Sequence, residues 1–374
     1  MIKKKKYTFK KFINDVHLWL GVGSGIILFL VCLSGTLLVF ENEIKDVFKE
    51  KLTINPVESE VQSITQLSQK LSVNGEVKRL TIPVEKDAPY EFNIKTSPKD
   101  RRGTTFLVNP YTSETLLPKK TSLDEFFSTM FKMHRWLLLD VPVGRPIVGI
   151  ATIIFLVLSI TGIILWFPKK YKWKNFKPGF KIKFSANWKR INYDLHNTLG
   201  FYACIFIIIM ALTGLNWSFD WYREGASNVI GAKIFDRGGG PKFKSSLPKN
   251  EKSVEELIEI SSQELNYSGK LRITFATTSN DIIEIRKYNS NNFSPVTSDQ
   301  LILDRDGKVL HKEIFNEKPL NVQLASVIKP LHTGEIYGSF SKIIYFITCL
   351  IATSLPVTGT IIWLNKLKKK KKKS

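Results

Sequence analysis

Four of the chain's five histidines, His17, His134, His196 and His332, stand at or just before the start of four long apolar segments. Imidazole is the commonest protein ligand for a metal, and an ionisable group at membrane depth is costly and usually functional. Two histidines on each side of a membrane would supply axial ligands for two haems, one above the other. A bis-His centre is six-coordinate and suited to electron transfer. The chain contains no CxxCH, so covalent c-type attachment is excluded and a haem here would be of b type. No CxxC exists to build a zinc ribbon. Cys32, Cys204 and Cys349 all lie inside apolar segments, where cysteine acts as a small hydrophobe, and no exported pair is left to form a disulfide. HExxH, GxSxG, a Walker loop and a dinucleotide fingerprint are absent. The chain therefore brings no flavin or nicotinamide domain of its own.

The elements that must position these histidines are the apolar segments Val16–Phe40, Pro146–Phe167, Leu195–Phe219 and Ile343–Leu364. Each reaches the ~20 residues needed to cross the hydrocarbon, and none contains Lys, Arg, Asp or Glu. The first follows Lys3–Lys6 but is longer than a signal-peptide core and has no small-residue cleavage site before Glu41, so it reads as a retained helix. The net charge of +22 is concentrated at the N-terminus, in the acid-free loop Lys169–Arg190 and in Lys368–Lys373. If every segment spans, these share one side, and the positive-inside rule makes it the cytoplasm. Charge placed at membrane flanks points to lipid and argues against nucleic acid.

The expected organisation follows. A basic cytoplasmic N-terminus (1–15) leads to the first span (16–40), an external module (41–133), an external histidine-bearing segment (134–145) and the second span (146–167). A basic cytoplasmic loop (168–194) then joins the third span (195–219), a second external module (220–330), a second histidine-bearing segment (331–342), the fourth span (343–364) and a Lys-rich cytoplasmic tail (365–374). The fold class is a membrane all-α four-helix bundle carrying two duplicated external α+β modules.

Duplication is read from recurring offsets. His17 is followed by Leu20-Gly21 and Ser34-Gly35, and His196 by Leu199-Gly200 and Thr213-Gly214, with the last glycine eighteen residues on in both. After Met133-His134 and Leu331-His332, the glycines of Thr161-Gly162 and Thr358-Gly359 follow at 28 and 27 residues. Outside the spans, Val61–Leu71 and Val254–Leu265 read as amphipathic helices. Arg79–Val84 and Tyr90–Lys95 read as half-buried strands, as do Leu271–Ala276 and Ile282–Tyr288. Further strand pairs turn at Asn109–Thr112 and Asp304–Gly307. Each copy is expected to lay a helix on a small antiparallel sheet, with Gly238–Pro241 a flexible approach to the second.

Topology decides which histidines can meet. His17 and His196 both fall at cytoplasmic ends and His134 and His332 both on the external side, so the pairs are His17/His196 and His134/His332. Facing helices of a bundle supply such sites. Gly21 and Gly200, one turn beyond their histidines, would leave room for a porphyrin plane. Arg135, Arg145, Lys189 and Arg190 lie near the membrane edges, where propionates would point. Trp19, Trp136, Trp188 and Tyr193 could pack on the rings or form an interfacial belt. A lone interfacial histidine is commonly a tolerated amphipathic residue; four at recurring positions change that balance. His311 is expected to be a solvated surface residue, and the Ser/Thr-Gly pairs to be helix-packing notches.

His134–Leu139 with Thr161-Gly162 and Trp166, Asp194-Leu195-His196 with Leu199-Gly200, and Leu331–Glu335 with Gly338 together resemble the PepSY-associated transmembrane helix family. Val108–Thr112 resembles the Asp-Pro-Tyr-Thr-Gly turn of PepSY modules; Asn109 and Ser113 depart from it, which weakens a turn but touches no chemistry. The resemblance covers nearly the whole chain. It implies a multi-pass protein of the bacterial inner membrane, with termini cytoplasmic and large loops periplasmic, from an iron-uptake group that includes haem-containing ferric-siderophore reductases. Electrons would come from a membrane quinol or a separate cytoplasmic reductase and reach a ferric siderophore or other ferric chelate outside. Two other readings stand beside this one: a non-enzymatic envelope sensor or peptidase regulator, and an iron or siderophore transporter. Against the transporter, no acidic residue lies within a span and no helix is interrupted at mid-membrane except at Pro356.

Overall fold

The computed structural model of the protein describes residues 7–371 apart from 56–59, 98–99, 101–102, 236–242, 246, 248–251 and 277–280. Lys3–Lys6, the end of the lysine tail and the Gly238–Pro241 approach lie outside them. In chain order the principal elements are α1 (Phe9–Leu38), α2 (Ile64–Leu71), β1 (Glu76–Ile82), β2 (Tyr90–Lys95), β3 (Thr104–Val108) and β4 (Thr115–Leu116). Next come α3 (Ser122–Trp136), α4 (Val141–Trp166), α5 (Gly200–Ser218), α6 (Val254–Glu264), β5 (Gly269–Thr274) and β6 (Ile283–Asn289). The chain ends with β7 (Asp299–Leu303), β8 (Val309–Glu313), α7 (Ile328–Thr333) and α8 (Gly338–Lys371). They form two compact units.

The first unit is helical and comprises 1–44, 122–234 and 328–374. Four of its helices are long and apolar enough to cross a membrane: Phe9–Leu38, Val141–Trp166, Trp188–Ser218 and Glu335–Lys368. These helices extend beyond the uncharged stretches because their ends are built from capping and polar residues. Thr8 caps α1 by accepting from the Lys11 amide at 3.3 Å, which draws Lys10 and Lys11 into the first turn. The third helix starts at Trp188, where the Asn187 side chain accepts from the Arg190 amide. It then widens into a π-turn over Leu195–Leu199 before continuing as α5. The core is small and close-packed: Leu28, Ala151 and Leu158 form one cluster, and Ala203, Ile207 and Ala352 another. Small residues let helix backbones approach where lipid removes the hydrophobic drive to associate. Leu137 and Leu138, between α3 and α4, both take positive φ (56° and 60°) and turn the chain sharply after Trp136.

The second unit, 45–121 and 235–327, is a single eight-stranded antiparallel sheet in the order β4-β3-β2-β1-β5-β6-β7-β8. The two small sheets expected from the sequence are thus joined through β1 and β5. A four-stranded sheet leaves an unpaired edge; pairing Arg79–Ile82 with Leu271–Thr274 removes one from each. Strand alternation puts Leu80, Phe92, Ile94, Phe106, Ile273, Ile285 and Leu301 into one core with Leu67 and Leu71 of α2 and Leu257 of α6. Glu255, in the first turn of α6, accepts from the Ser63 hydroxyl at 2.8 Å, the Thr65 amide at 3.0 Å and the Thr65 hydroxyl, and so also caps α2. At the first turn sequence, Asn109 Oδ1 accepts from the amides of Tyr111 (2.9 Å) and Thr112 (3.2 Å), as an aspartate would. Ser113 is held at φ 60°. His311 is half-buried, with its ring stacked 5.6 Å from Phe243, and is not the solvated residue expected.

Candidate functional site

The site is built from four Ser/Thr-Gly pairs in the helical unit: Ser34-Gly35 in α1, Thr161-Gly162 in α4, Thr213-Gly214 in α5 and Thr358-Gly359 in α8. Each hydroxyl donates to the carbonyl four residues back: Ser34 to Leu30 (2.7 Å), Thr161 to Val157 (2.8 Å), Thr213 to Ile209 (2.6 Å) and Thr358 to Ser354 (3.0 Å). With its proton committed there, the oxygen can only accept from elsewhere. The glycine that follows leaves a notch, and one histidine occupies each. A Cβ built on Gly214 would lie 2.9 Å from Cε1 of His332, on Gly35 3.0 Å from that of His134, on Gly359 3.2 Å from His196 and on Gly162 3.5 Å from His17.

The same notch fixes the imidazole tautomer. Nδ1 of His17 lies 2.9 Å from Thr161 Oγ1, and that of His196 lies 2.9 Å from Thr358 Oγ1. Nδ1 of His134 lies 2.8 Å from the Val31 carbonyl; that of His332 lies 3.0 Å from the Met210 carbonyl and 3.1 Å from Thr213 Oγ1. A carbonyl only accepts and the hydroxyls have spent their protons, so the hydrogen-bond network assigns the ring proton to Nδ1 in all four. Nε2 keeps its lone pair and has no hydrogen-bond partner among the described residues. This is the arrangement in which an imidazole ligates a metal while its other nitrogen is held.

The rings come together in pairs. His17 and His196 have centroids 6.2 Å apart at an interplanar angle of 89°, and His134 and His332 are also 6.2 Å apart, at 53°. Two in-line imidazole–metal bonds of ~2 Å, with ~1.1 Å from each nitrogen to its ring centre, require a separation of ~6.2 Å. The observed separation of 6.2 Å in each pair equals that spacing. Among the described residues no group of three or more His, Cys, Asp or Glu side chains could hold a metal. Two protein ligands and no third suit an iron whose equatorial positions are filled by a macrocycle.

The other candidate residues divide. Cβ positions on Gly21 and Gly200 would meet Leu158 (3.7 Å) and Leu355 (3.5 Å) at ordinary contact distance, so both glycines sit against a neighbouring helix. Arg135 lies over the rings of Phe131 (5.4 Å) and Trp136 (5.1 Å). Trp136 Nε1 is buried without an acceptor, an unspent donor two residues from His134. Arg145 donates through Nε to the Trp217 carbonyl at 2.6 Å and pairs with Asp220 at 3.6 Å. Arg190 commits its Nε to buried Asp194 at 2.8 Å. Trp19, Trp188 and Tyr193 are exposed on the outside of the unit, as is Lys189.

Several residues were not legible as participants. The four hydroxyls read as packing notches, and the only signal of more was their constant distance from the histidines. Asn192, 1% exposed, donates to the Thr358 carbonyl at 3.0 Å and so braces the strut that holds His196. The Trp217 ring lies 5.2 Å from that of His332. Compared with known proteins, residues 15–366 match the PepSY-associated TM region family, and a search of curated proteins finds no match. The match spans nearly the whole chain: this membrane protein belongs to the PepSY-associated TM region family.

Proposed function

We propose that the protein carries electrons across a bacterial cytoplasmic membrane through two b-type haems and reduces a ferric chelate, such as a ferric siderophore, on the periplasmic side. The observation that supports this is the pair of histidine pairs, each at 6.2 Å with Nδ1 tied and Nε2 free. His17 and His196 would hold one haem, and His134 and His332 the other. A bound haem supplies reversible one-electron transfer at its iron. The chain's own residues do the rest. Thr161, Thr358 and the Val31 and Met210 carbonyls orient each imidazole and keep its proton on Nδ1, and the glycines admit the rings. Trp136 Nε1 and Arg135 suit carboxylates at the His134 end.

Direction comes from charge. By the positive-inside rule, the basic loop around Lys169–Arg190 and the lysine-rich ends support a cytoplasmic side for the His17/His196 pair and an external one for His134/His332. The donor is then a quinol or a separate cytoplasmic reductase. Reduction to Fe(II) weakens the hold of hard-oxygen chelators and releases iron. The recurrence of notch and histidine in both halves supports an internal duplication. The test is a reduced-minus-oxidised spectrum of the purified protein. A b-type signal with two haems per chain is expected, and His17→Ala or His196→Ala should remove one and leave the other spectrally intact. A colourless protein that cannot be reconstituted with haem would overturn the reading.

A further inference from the structure

The sheet of the second unit has a cationic face that its own carboxylates do not neutralise. Cross-strand register fixes which side chains share it: Glu91, Thr81, Arg272, Arg286, Gln300 and Glu313 form one row across six strands. Arg79, opposite Asn93 and Thr274, and Lys270, opposite Tyr288, point to the same side. Arg272 and Arg286 are directly opposed, and like charges in that relation destabilise a sheet. Lys270 and Arg272 also converge on one ring, lying 4.8 and 5.4 Å from the centroid of Tyr288.

Counter-charge is short. Glu284 is committed to Arg286 at 2.5 Å and to Gln300 at 2.9 Å, and Glu313, at the far end of the row, to Lys318 at 2.5 Å. Glu91 lies two strands from Arg272, about 9–10 Å away. Arg79, Lys270 and Arg272 make no ion pair with any described residue, and the Arg272 Nε is buried with no acceptor at all. Arg79, Lys270 and Arg286 are exposed. Folding has gathered two cations around an aromatic ring and left the Arg272 Nε without an acceptor. An anion delivered to this face would relieve the repulsion and satisfy that donor.

We propose that this face captures negatively charged ferric chelates, those whose iron is held by catecholate or α-hydroxycarboxylate oxygens, and disfavours uncharged hydroxamate chelates. Planar guanidinium groups pair two oxygens at once and stack on aromatic ligand rings, and the Tyr288–Arg272–Lys270 cluster offers both contacts. The choice of a ferric chelate as ligand rests on the function proposed above; the demand for an anion rests on the sheet alone.

The experiment uses the full-length protein in nanodiscs of uncharged lipid and redox-inert gallium(III) complexes, so that binding is read without turnover. Gallium tricatecholate or gallium citrate should bind, more weakly as salt rises, and gallium trihydroxamate at least tenfold more weakly. Each cation neutralised should cost about tenfold in affinity, so Lys270→Gln with Arg272→Gln should cost about a hundredfold. Arg272→Lys keeps the charge but loses the bidentate and stacking contacts, so its affinity should fall between those of the wild type and Arg272→Gln. The double variant should unfold at the same temperature or higher, because repulsion is removed; a merely structural role would lower it. Equal binding of charged and uncharged complexes, or wild-type affinity in the double variant, overturns the proposal. So does complete displacement of the complexes by anionic-lipid vesicles, which would give the face to a membrane. Haem content is read on the same samples. Two haems without anion selectivity would sink this inference alone, and anion binding without haem would sink the electron-transfer reading alone.

Discussion

Each histidine depends on a glycine on another helix, and the four contacts are not equally tight. At Gly214 and Gly35 an added methyl would come within 2.9–3.0 Å of an imidazole carbon, whereas at Gly162 it would make ordinary contact at 3.5 Å. Gly214→Ala and Gly35→Ala should therefore push His332 and His134 out of register and lower the haem-to-protein ratio towards one, while Gly162→Ala should leave it at two. Haem content after purification checks the order. The hydroxyl struts should matter less than the ligands but measurably: Thr358→Val leaves Nδ1 of His196 without its acceptor and should weaken haem retention by about 10–100-fold, read as haem loss to apomyoglobin. The histidines were legible in the sequence because ionisable residues stand out at the ends of apolar runs. Their struts were not. Ser-Gly and Thr-Gly pairs are also ordinary packing devices between membrane helices, and only the docked imidazole distinguishes the two uses.

At the level of elements, irregularities gather near the histidines. His196 sits inside a π-turn, and the two left-handed leucines follow three and four residues after His134. A π-turn is frequently found at functional sites, and a left-handed non-glycine residue costs roughly 1–2 kcal/mol. Leu138 is half exposed, so Leu138→Gly should relieve that cost without opening a cavity and raise the midpoint of thermal unfolding. Neither irregularity could be read beforehand, because hydropathy specifies a helix and not its local pitch. The strands were more legible: Tyr90–Lys95 is the same in sequence and structure. Pairing of β1 with β5 joins distant parts of the chain, and no local pattern announces it.

The Glu255 cap gives this unit a pH dependence. Burial pushes the Glu255 carboxyl up, but hydrogen bonds from Thr65 and Ser63 outweigh it and bring it down to about 2 from 4.5. A depressed carboxyl stabilises the fold above its unfolded value, and that contribution is lost as pH falls through the folded one. Glu255→Gln should therefore unfold at lower temperature than wild type at pH 6, with the gap closing between about pH 4.5 and pH 2.

On the scale of the molecule, the chain combines a helical unit that holds two histidine pairs with a sheet unit that presents a cationic face. Composition and charge placement were enough to read the membrane part, since spans and basic flanks are local properties. The cationic face of the sheet unit was not legible, because it is assembled from strands β1, β5 and β6 and appears only once their register is known. Two bis-His haems in one chain are the central proposal. Low-temperature electron paramagnetic resonance of the oxidised, purified protein addresses this most directly. It should show two low-spin ferric haems per chain, with His134→Ala abolishing one low-spin signal and leaving the other unchanged. No haem signal after reconstitution, a single haem per chain, or high-spin ferric haem in the wild-type protein would contradict it.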